Sequence, residues 1–167
     1  MADSISKVET DLKLKVTMTK DLGIDGATNP EIVQETGTNA KADFSPTTTV
    51  PMSVVWTDTR TFATTESLDL TALPQANFSA NVDMTGLRVQ VIKIIAASSN
   101  GANIQIDKSG VNGYFIWGAS ADSVTLLPGC AIEMVCNNNM PLIGATAKSI
   151  DVSGTGTLTY DIQIVAG

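Results

Sequence analysis

The chain of 167 residues contains no histidine. That absence removes the base of a Ser-His-Asp triad, the imidazole ligands of most zinc sites and the HExxH helix. A cysteine nucleophile lacks its customary base for the same reason. Cysteine is scarce as well, with Cys130 and Cys136 the two present. If residues 131–135 form one strand, the pair shares a face about 20 Å apart, whereas a disulfide needs Cα atoms within about 7 Å. Both are expected to be free, small, buried hydrophobes, in keeping with a reducing compartment. Positive charge is short too: ten basic residues stand against seventeen acids, a net charge of −7. Phosphate neutralisation needs a basic footprint, so no nucleic-acid partner is expected. No apolar run approaches the ~18 residues of a membrane helix, which argues against a membrane partner. Residues 1–20 carry no apolar stretch of a secretory signal, which predicts synthesis in a cytoplasm.

Ligand-cradling motifs are missing in the same way. There is no GxxxxGK and no GxGxxG; Gly154-Thr155-Gly156 leads into a strand rather than a helix and reads as a tight turn. The acidic stretch Asp21-Leu22-Gly23-Ile24-Asp25-Gly26 lacks the alternating ligands and distal Glu of a calcium loop. No metal and no cofactor are expected. Asp58, Glu66 and Asp69 lie close in sequence, and a facing carboxylate pair is the minimum for glycoside hydrolysis. Acids on exposed strands and turns are ordinarily solvated, so no catalysis is expected from them. Trp56 and Trp117 sit among apolar neighbours and are expected in the core. Asn77-Phe78-Ser79 matches a glycosylation sequon, which has no use without secretion.

What the chain does have is period-2 alternation. Leu12, Leu14, Val16 and Met18 alternate with Lys13, Lys15, Thr17 and Thr19, and Leu158, Tyr160, Ile162 and Ile164 repeat the pattern near the C-terminus. Threonine occurs 21 times, serine 13 and asparagine 10, a composition of strand faces and turns. Strands are predicted over 52–61, 67–70, 87–97, 103–107, 114–117, 124–127, 131–136, 149–152 and 157–165. Alternation in 87–97 slips phase at Ile92, Ile94 and Ile95, the mark of a β-bulge or of burial on both faces. Ser98-Ser99-Asn100-Gly101, Asn112-Gly113 and Pro128-Gly129 read as turns. Short strands with turns every 8–12 residues predict an all-β, antiparallel β-sandwich, jelly-roll-like in form.

The first 49 residues differ from the rest. Residues 7–20 read as one long strand. Residues 21–49 have no sustained period, apart from Asn29-Pro30-Glu31 through Gly37, which predicts a short helical turn. A 29-residue connection is long for a compact domain and spans up to ~95 Å when extended. Residues 1–20 carry four lysines against three acids, +1, while residues 21–167 carry six basic and fourteen acidic residues, −8. The division expected is an N-terminal strand and connection, 1–49, and a sandwich body, 50–167. Leu12, Lys13, Leu14, Lys15, Val16 and Met18 are candidate interface residues: either the first strand of the chain's own sandwich, or an arm that adds to a neighbour's sheet edge.

Residues 56–167, about two-thirds of the chain, carry an ordered set of pieces. These are Trp56-Thr57-Asp58-Thr59-Arg60-Thr61, Ser67-Leu68-Asp69-Leu70, Leu87-Arg88-Val89-Gln90-Val91-Ile92-Lys93, Val124-Thr125-Leu126-Leu127-Pro128-Gly129, Ile150-Asp151-Val152 with Gly154, and Tyr160-Asp161-Ile162-Gln163-Ile164. In this order they resemble small structural proteins of tailed bacteriophages. The resemblance implies a β-sandwich or jelly-roll virion component, located in the virion and assembled in the host cytoplasm. It also implies a homo-oligomer whose partners are the major capsid protein or other virion proteins. A cement or decoration role is the first expectation, since the chain is short for a tailed-phage major capsid protein. A minor or major shell protein stays open. So does a fibre-base adhesin or carbohydrate-binding module, which requires exposed aromatics such as Tyr114 or Trp117. A glycoside-active jelly roll requires two carboxylates facing across a cleft.

Overall fold

A computed structural model describes residues 51–75, 80–108, 110–117, 122–136 and 139–167, and the strand backbone of 7–11, 13–17 and 41–44. The helical turn expected near Asn29, the acidic loop from Asp21, the Asn77 sequon, and Leu12 and Met18 lie outside the described residues. Among the described residues all regular structure is strand, eleven in chain order. The chain divides into two units, Met1–Met52 and Ser53–Gly167.

The first unit contains β1 (Lys7–Asp11), β2 (Lys13–Thr17) and β3 (Lys41–Phe44), in sheet order β2-β1-β3. The single strand expected over 7–20 is therefore two, folded back with Lys7 opposite Thr17 and Asp11 opposite Lys13. Pairing with a neighbour already tethered costs little loop entropy, so a hairpin competes well with one long strand of the same alternation. The register sets Val8 opposite both Val16 and Phe44, and Thr10 opposite both Leu14 and Ala42. These six positions share one face of the sheet, and Lys and acid positions make up most of the other.

The second unit has eight strands: β4 (Val54–Phe62), β5 (Thr65–Asp69), β6 (Val89–Ala96), β7 (Ile104–Lys108), β8 (Ser123–Leu126), β9 (Ala131–Val135), β10 (Ser149–Gly154) and β11 (Leu158–Ala166). They form two antiparallel four-stranded sheets, β4-β11-β6-β9 and β5-β10-β7-β8. The first strand pairs with the last, the second with the tenth of the chain, β6 with β9 and β7 with β8. That nesting is a hairpin ribbon rolled into a sandwich, which is the jelly roll.

Alternation decides which residues enter the core. In β11, Leu158, Tyr160, Ile162, Ile164 and Ala166 are buried together with Trp56 and Phe62 of β4. Across the gap stand Leu68, Ile104, Ile106, Leu126, Ile150 and Val152 of the other sheet. The phase slip in β6 is a bulge at Gln90, since Val91 pairs with Val165 while Val89 pairs with Ala166. The extra residue turns Val89 to the same core as Ile92, Ile94 and Ala96. Val91 and Val165, paired on the opposite face, are buried too. Both readings of the slip thus hold, two residues earlier than the isoleucines suggest.

Residues 114–117 are not the strand that alternation predicts. Only Gly113 bridges to Ser149, and Tyr114 N–H donates to Ser149 O at 2.7 Å. The buried Tyr114 hydroxyl donates to Pro141 O at 2.8 Å and accepts from Val89 N–H at 3.1 Å. One phenol thus ties two connections to the start of β6 at one end of the sandwich, and burial pushes its pKa up to about 12. The Pro128-Gly129 turn is type II: Gly129 has φ 77° and Cys130 N–H donates to Leu127 O at 2.9 Å.

Two substitutions test the packing. Trp56 is 2% exposed and its indole N–H donates to Pro74 O at 2.7 Å, so Trp56→Ala is expected to cost about 3–5 kcal/mol. At Gly154 a Cβ would sit 2.8 Å from Asn103 O and overlap Leu158 Cδ1. Gly154→Ala should lower the urea midpoint measurably, whereas Gly101→Ala, in open space, should leave it nearly unchanged.

Candidate functional site

The two short sheet-to-sheet connections put β4 beside β5 on one flank of the sandwich and β8 beside β9 on the other. The β4/β5 flank is filled with charge. Arg60 Nε donates to Glu66 Oε1 at 2.8 Å, Nη2 donates to the same oxygen, and Nη1 donates to Asp58 Oδ2 at 3.1 Å. Tyr160 donates to Glu66 Oε2 at 2.8 Å, and its ring meets Phe62 edge-on at 5.9 Å. Arg60 and Tyr160 belong to one sheet and Glu66 to the other, so the cluster staples the sheets where apolar packing ends. The Glu66 bond, ahead of the lesser Asp58 one, raises the Arg60 pKa, while burial and then the Glu66 bond raise that of Tyr160.

Asp69 is engaged elsewhere. It accepts from Thr71 N–H and Oγ1 at 2.9 and 2.6 Å, forming an Asx turn, and from Lys148 Nζ at 2.5 Å. Burial pushes its pKa up, but the bonds from Lys148 and Thr71 outweigh it and hold the carboxyl below its ordinary value. The three carboxylates singled out by sequence proximity are therefore separated into two ion-paired groups. Among the described residues no cluster of three or more Cys, Asp and Glu is placed to hold a metal.

The aromatic candidates are not on a shared groove. Trp56 and Tyr114 are buried, and Trp117 is half-buried against the core with its indole N–H lacking an acceptor. Trp117 is thus less enclosed than expected. The cysteines flank β9 as free thiols, but Cys130 is exposed and Cys136 intermediate rather than buried. The Pro128-Gly129 turn carries Cys130 outward, and burial raises the Cys136 pKa.

The β8/β9 flank is built differently. Val124, Ile132 and Met134 are only partly buried against the core there, and Val135 is 40% exposed. Cys130 O accepts from Ala96 N–H at 2.9 Å and Cys136 N–H donates to Gln90 O at 2.7 Å. Antiparallel alternation then directs Ile132 and Met134 toward β6 and the amides of Ala131, Glu133 and Val135 toward the edge. Among the described residues no strand pairs with that edge. Glu133 stands opposite Lys93, yet Nζ and Oε2 are 3.9 Å apart, beyond hydrogen-bond reach. Its side chain is 17% exposed and Oε1 has no donor. Burial raises the Glu133 pKa against the lesser pull of Lys93. Nothing in the sequence singles out this residue, because an acid between apolar strand neighbours looks like any solvent-face position.

A shallow polar groove of about 270 Å³ lies on the β4-β11-β6-β9 sheet, lined by Thr57, Thr59, Lys93, Ile95, Asp161 and Gln163 among others. Thr59 Oγ1 donates to Asp161 Oδ1 at 2.6 Å within it. Of the N-terminal candidates, Lys13, Leu14, Lys15 and Val16 lie on β2, an edge of the three-stranded sheet. No known family model matches the chain, and no curated protein matches it either.

Two pH profiles separate these carboxylates. Asp69 has a lowered folded pKa, so its contribution is present above the ordinary carboxylate value and is lost as pH falls through the lowered one. Asp69→Asn should therefore destabilise at neutral pH, with the difference closing in acid. Glu133 has a raised folded pKa, so its ionised form opposes folding at neutral pH. Glu133→Gln should stabilise there, and the gain should shrink as pH falls through the raised value and be gone below the ordinary carboxylate one. Urea denaturation across pH 3–8 reads both signs.

Proposed function

We propose that the chain is a structural protein of a tailed-bacteriophage virion, of the cement or decoration type, that binds and stabilises the capsid shell as a homo-oligomer. The observation that carries this reading is a jelly-roll body whose candidate catalytic carboxylates are spent on ion pairs. Arg60 occupies Asp58 and Glu66, and Lys148 occupies Asp69. Such a body offers edges and loops to partners rather than a reaction centre. The sequence pieces that carry the phage resemblance supply strands β4, β5, β6, β8, β10 and β11. Jelly rolls also serve lectins and cupins, so fold alone does not choose among these uses. A mechanical role fits the ion-paired flank and apolar core, because burial between subunits stabilises a shell without chemistry.

The polar groove favours a second reading, a fibre-base adhesin that takes a glycan. Its lining has hydroxyl, amide and carboxylate groups but no aromatic platform, which makes it the weaker of the two.

Mixing the purified chain with tailed-phage shells that lack it, from the phage that encodes it, tests the proposal. Saturable binding with fixed copy number per capsomer and a raised shell-melting temperature is the expected result. Absence from purified particles by mass spectrometry, or glycan binding abolished by Gln163→Ala with no shell binding, overturns it. A structural role for the charged flank predicts that Glu66→Leu costs about 2 kcal/mol by leaving Arg60 and the Tyr160 hydroxyl each short of a partner, and that Arg60→Met added to it recovers only the Arg60 share of the loss.

A further inference from the structure

We propose that the open edge of β9 in one copy accepts strand β2 of a second copy, joining the N-terminal sheet of one protein to the body sheet of another. This goes beyond the virion reading and does not depend on it.

The two flanks of the jelly roll differ in how they meet a foreign strand. Inward-pointing charges are a recognised protection of sheet edges, and Asp58, Arg60 and Glu66 supply it on the β4/β5 flank. On the other flank β9 reads Ala-Ile-Glu-Met-Val, with no proline or lysine, and its edge amides at Ala131, Glu133 and Val135 have no strand beside them among the described residues. Strand addition there supplies main-chain bonds and covers Ile132 and Met134.

The occupant is specified by pattern and charge. β2 reads Lys-Leu-Lys-Val-Thr and is likewise five residues long and at the edge of its sheet. Set antiparallel, the full-length register places Thr17 opposite Ala131, Val16 opposite Ile132, Lys15 opposite Glu133, Leu14 opposite Met134 and Lys13 opposite Val135. Apolar positions then fall on the core side and a lysine falls opposite Glu133. That carboxylate is the one on this edge whose Oε1 lacks a donor while its side chain is 17% exposed. An opposite charge across strands is favourable, and like charges are not. Pairing of β9 with a second β9 about its centre sets Glu133 against Glu133, which disfavours that alternative. The acidic residues 21–167, at −8, and the +1 of residues 1–20 steer the same encounter.

Sedimentation equilibrium on the full chain is the first test, expected to show concentration-dependent association that weakens with salt. Glu133→Lys or Lys15→Glu alone should raise the dissociation constant about tenfold or more, and the two together should restore it. Val135→Pro removes an edge-facing N–H that the β6 ladder does not use, so it should abolish association without shifting the melting temperature. In a Cys130→Ser/Cys136→Ser background, Lys15→Cys with Glu133→Cys should give an intermolecular disulfide on oxidation. A chain that stays monomeric at its highest soluble concentration, an intramolecular disulfide, or a charge swap that fails to rescue overturns the proposal. Shell binding is read in a separate assay, so capsid attachment and β2–β9 pairing fail independently, and a homo-oligomer insensitive to the charge swap overturns the pairing alone.

Discussion

The body depends on one strand being held on both sides. β11 pairs along its full nine residues with β4 and over most of its length with β6. Its alternate residues also form the floor of the core, with Tyr160, Ile162 and Ile164 fully buried. Without β11 the sheet β4-β11-β6-β9 has no centre, and β4 becomes a lone strand. Its partners lie far away in sequence; Thr59 and Asp161, which share a hydrogen bond, are 102 residues apart. Loop closure on that scale must precede the reward of pairing, which places the body among slow, high-contact-order folds. The nested order β4·β11, β5·β10, β6·β9, β7·β8 eases the problem, because each pair shortens the loop that the next must close.

The other constraint is that the connections at one end satisfy one another's backbone groups despite being irregular. Gly86 N–H donates to Ile143 O, Ile143 N–H to Leu87 O, and Lys148 N–H to Asn112 O. Buried backbone groups need partners, and here loops supply one another. The Tyr114 hydroxyl completes the set by serving both Val89 and Pro141. A phenol in that position cannot also be a sugar platform, which is why the aromatic reading of Tyr114 and the packed end exclude each other.

Strand existence was legible because period 2 is imposed by the pleat itself: all eight body strands fall within a few residues of runs that alternate. Chain direction and pairing were less so, since alternation says which face a residue takes but not which neighbour it meets. Residues 114–117 mislead for a related reason: a short aromatic run has the composition of a strand, but single bridges and a phenol bond fix it in another shape. Residues 7–20 mislead because one long strand and a tight hairpin share the same alternation. The Gln90 bulge was half legible, as a slip whose position only the β11 register can locate. The ion-paired flank was not legible at all. Arg60, Glu66 and Tyr160 come together through three strands, and nothing local to any of them announces it.

The two flanks of one sandwich treat their charges in opposite ways. On the β4/β5 side the charges satisfy each other, so Arg60 leaves Glu66 nothing to gain from a newcomer. On the β8/β9 side Glu133 is left with a distant lysine and no donor to Oε1. A carboxylate taken from water without a hydrogen-bond donor costs stability in the isolated chain. That same cost becomes selectivity when a strand arrives, because an apolar strand without a cation leaves the carboxylate unsatisfied while a lysine-bearing one relieves it. A stable monomer and the proposed discriminating edge require opposite treatment of the same residue type, and a jelly roll leaves room for both because its two flanks lie at opposite sides of one core.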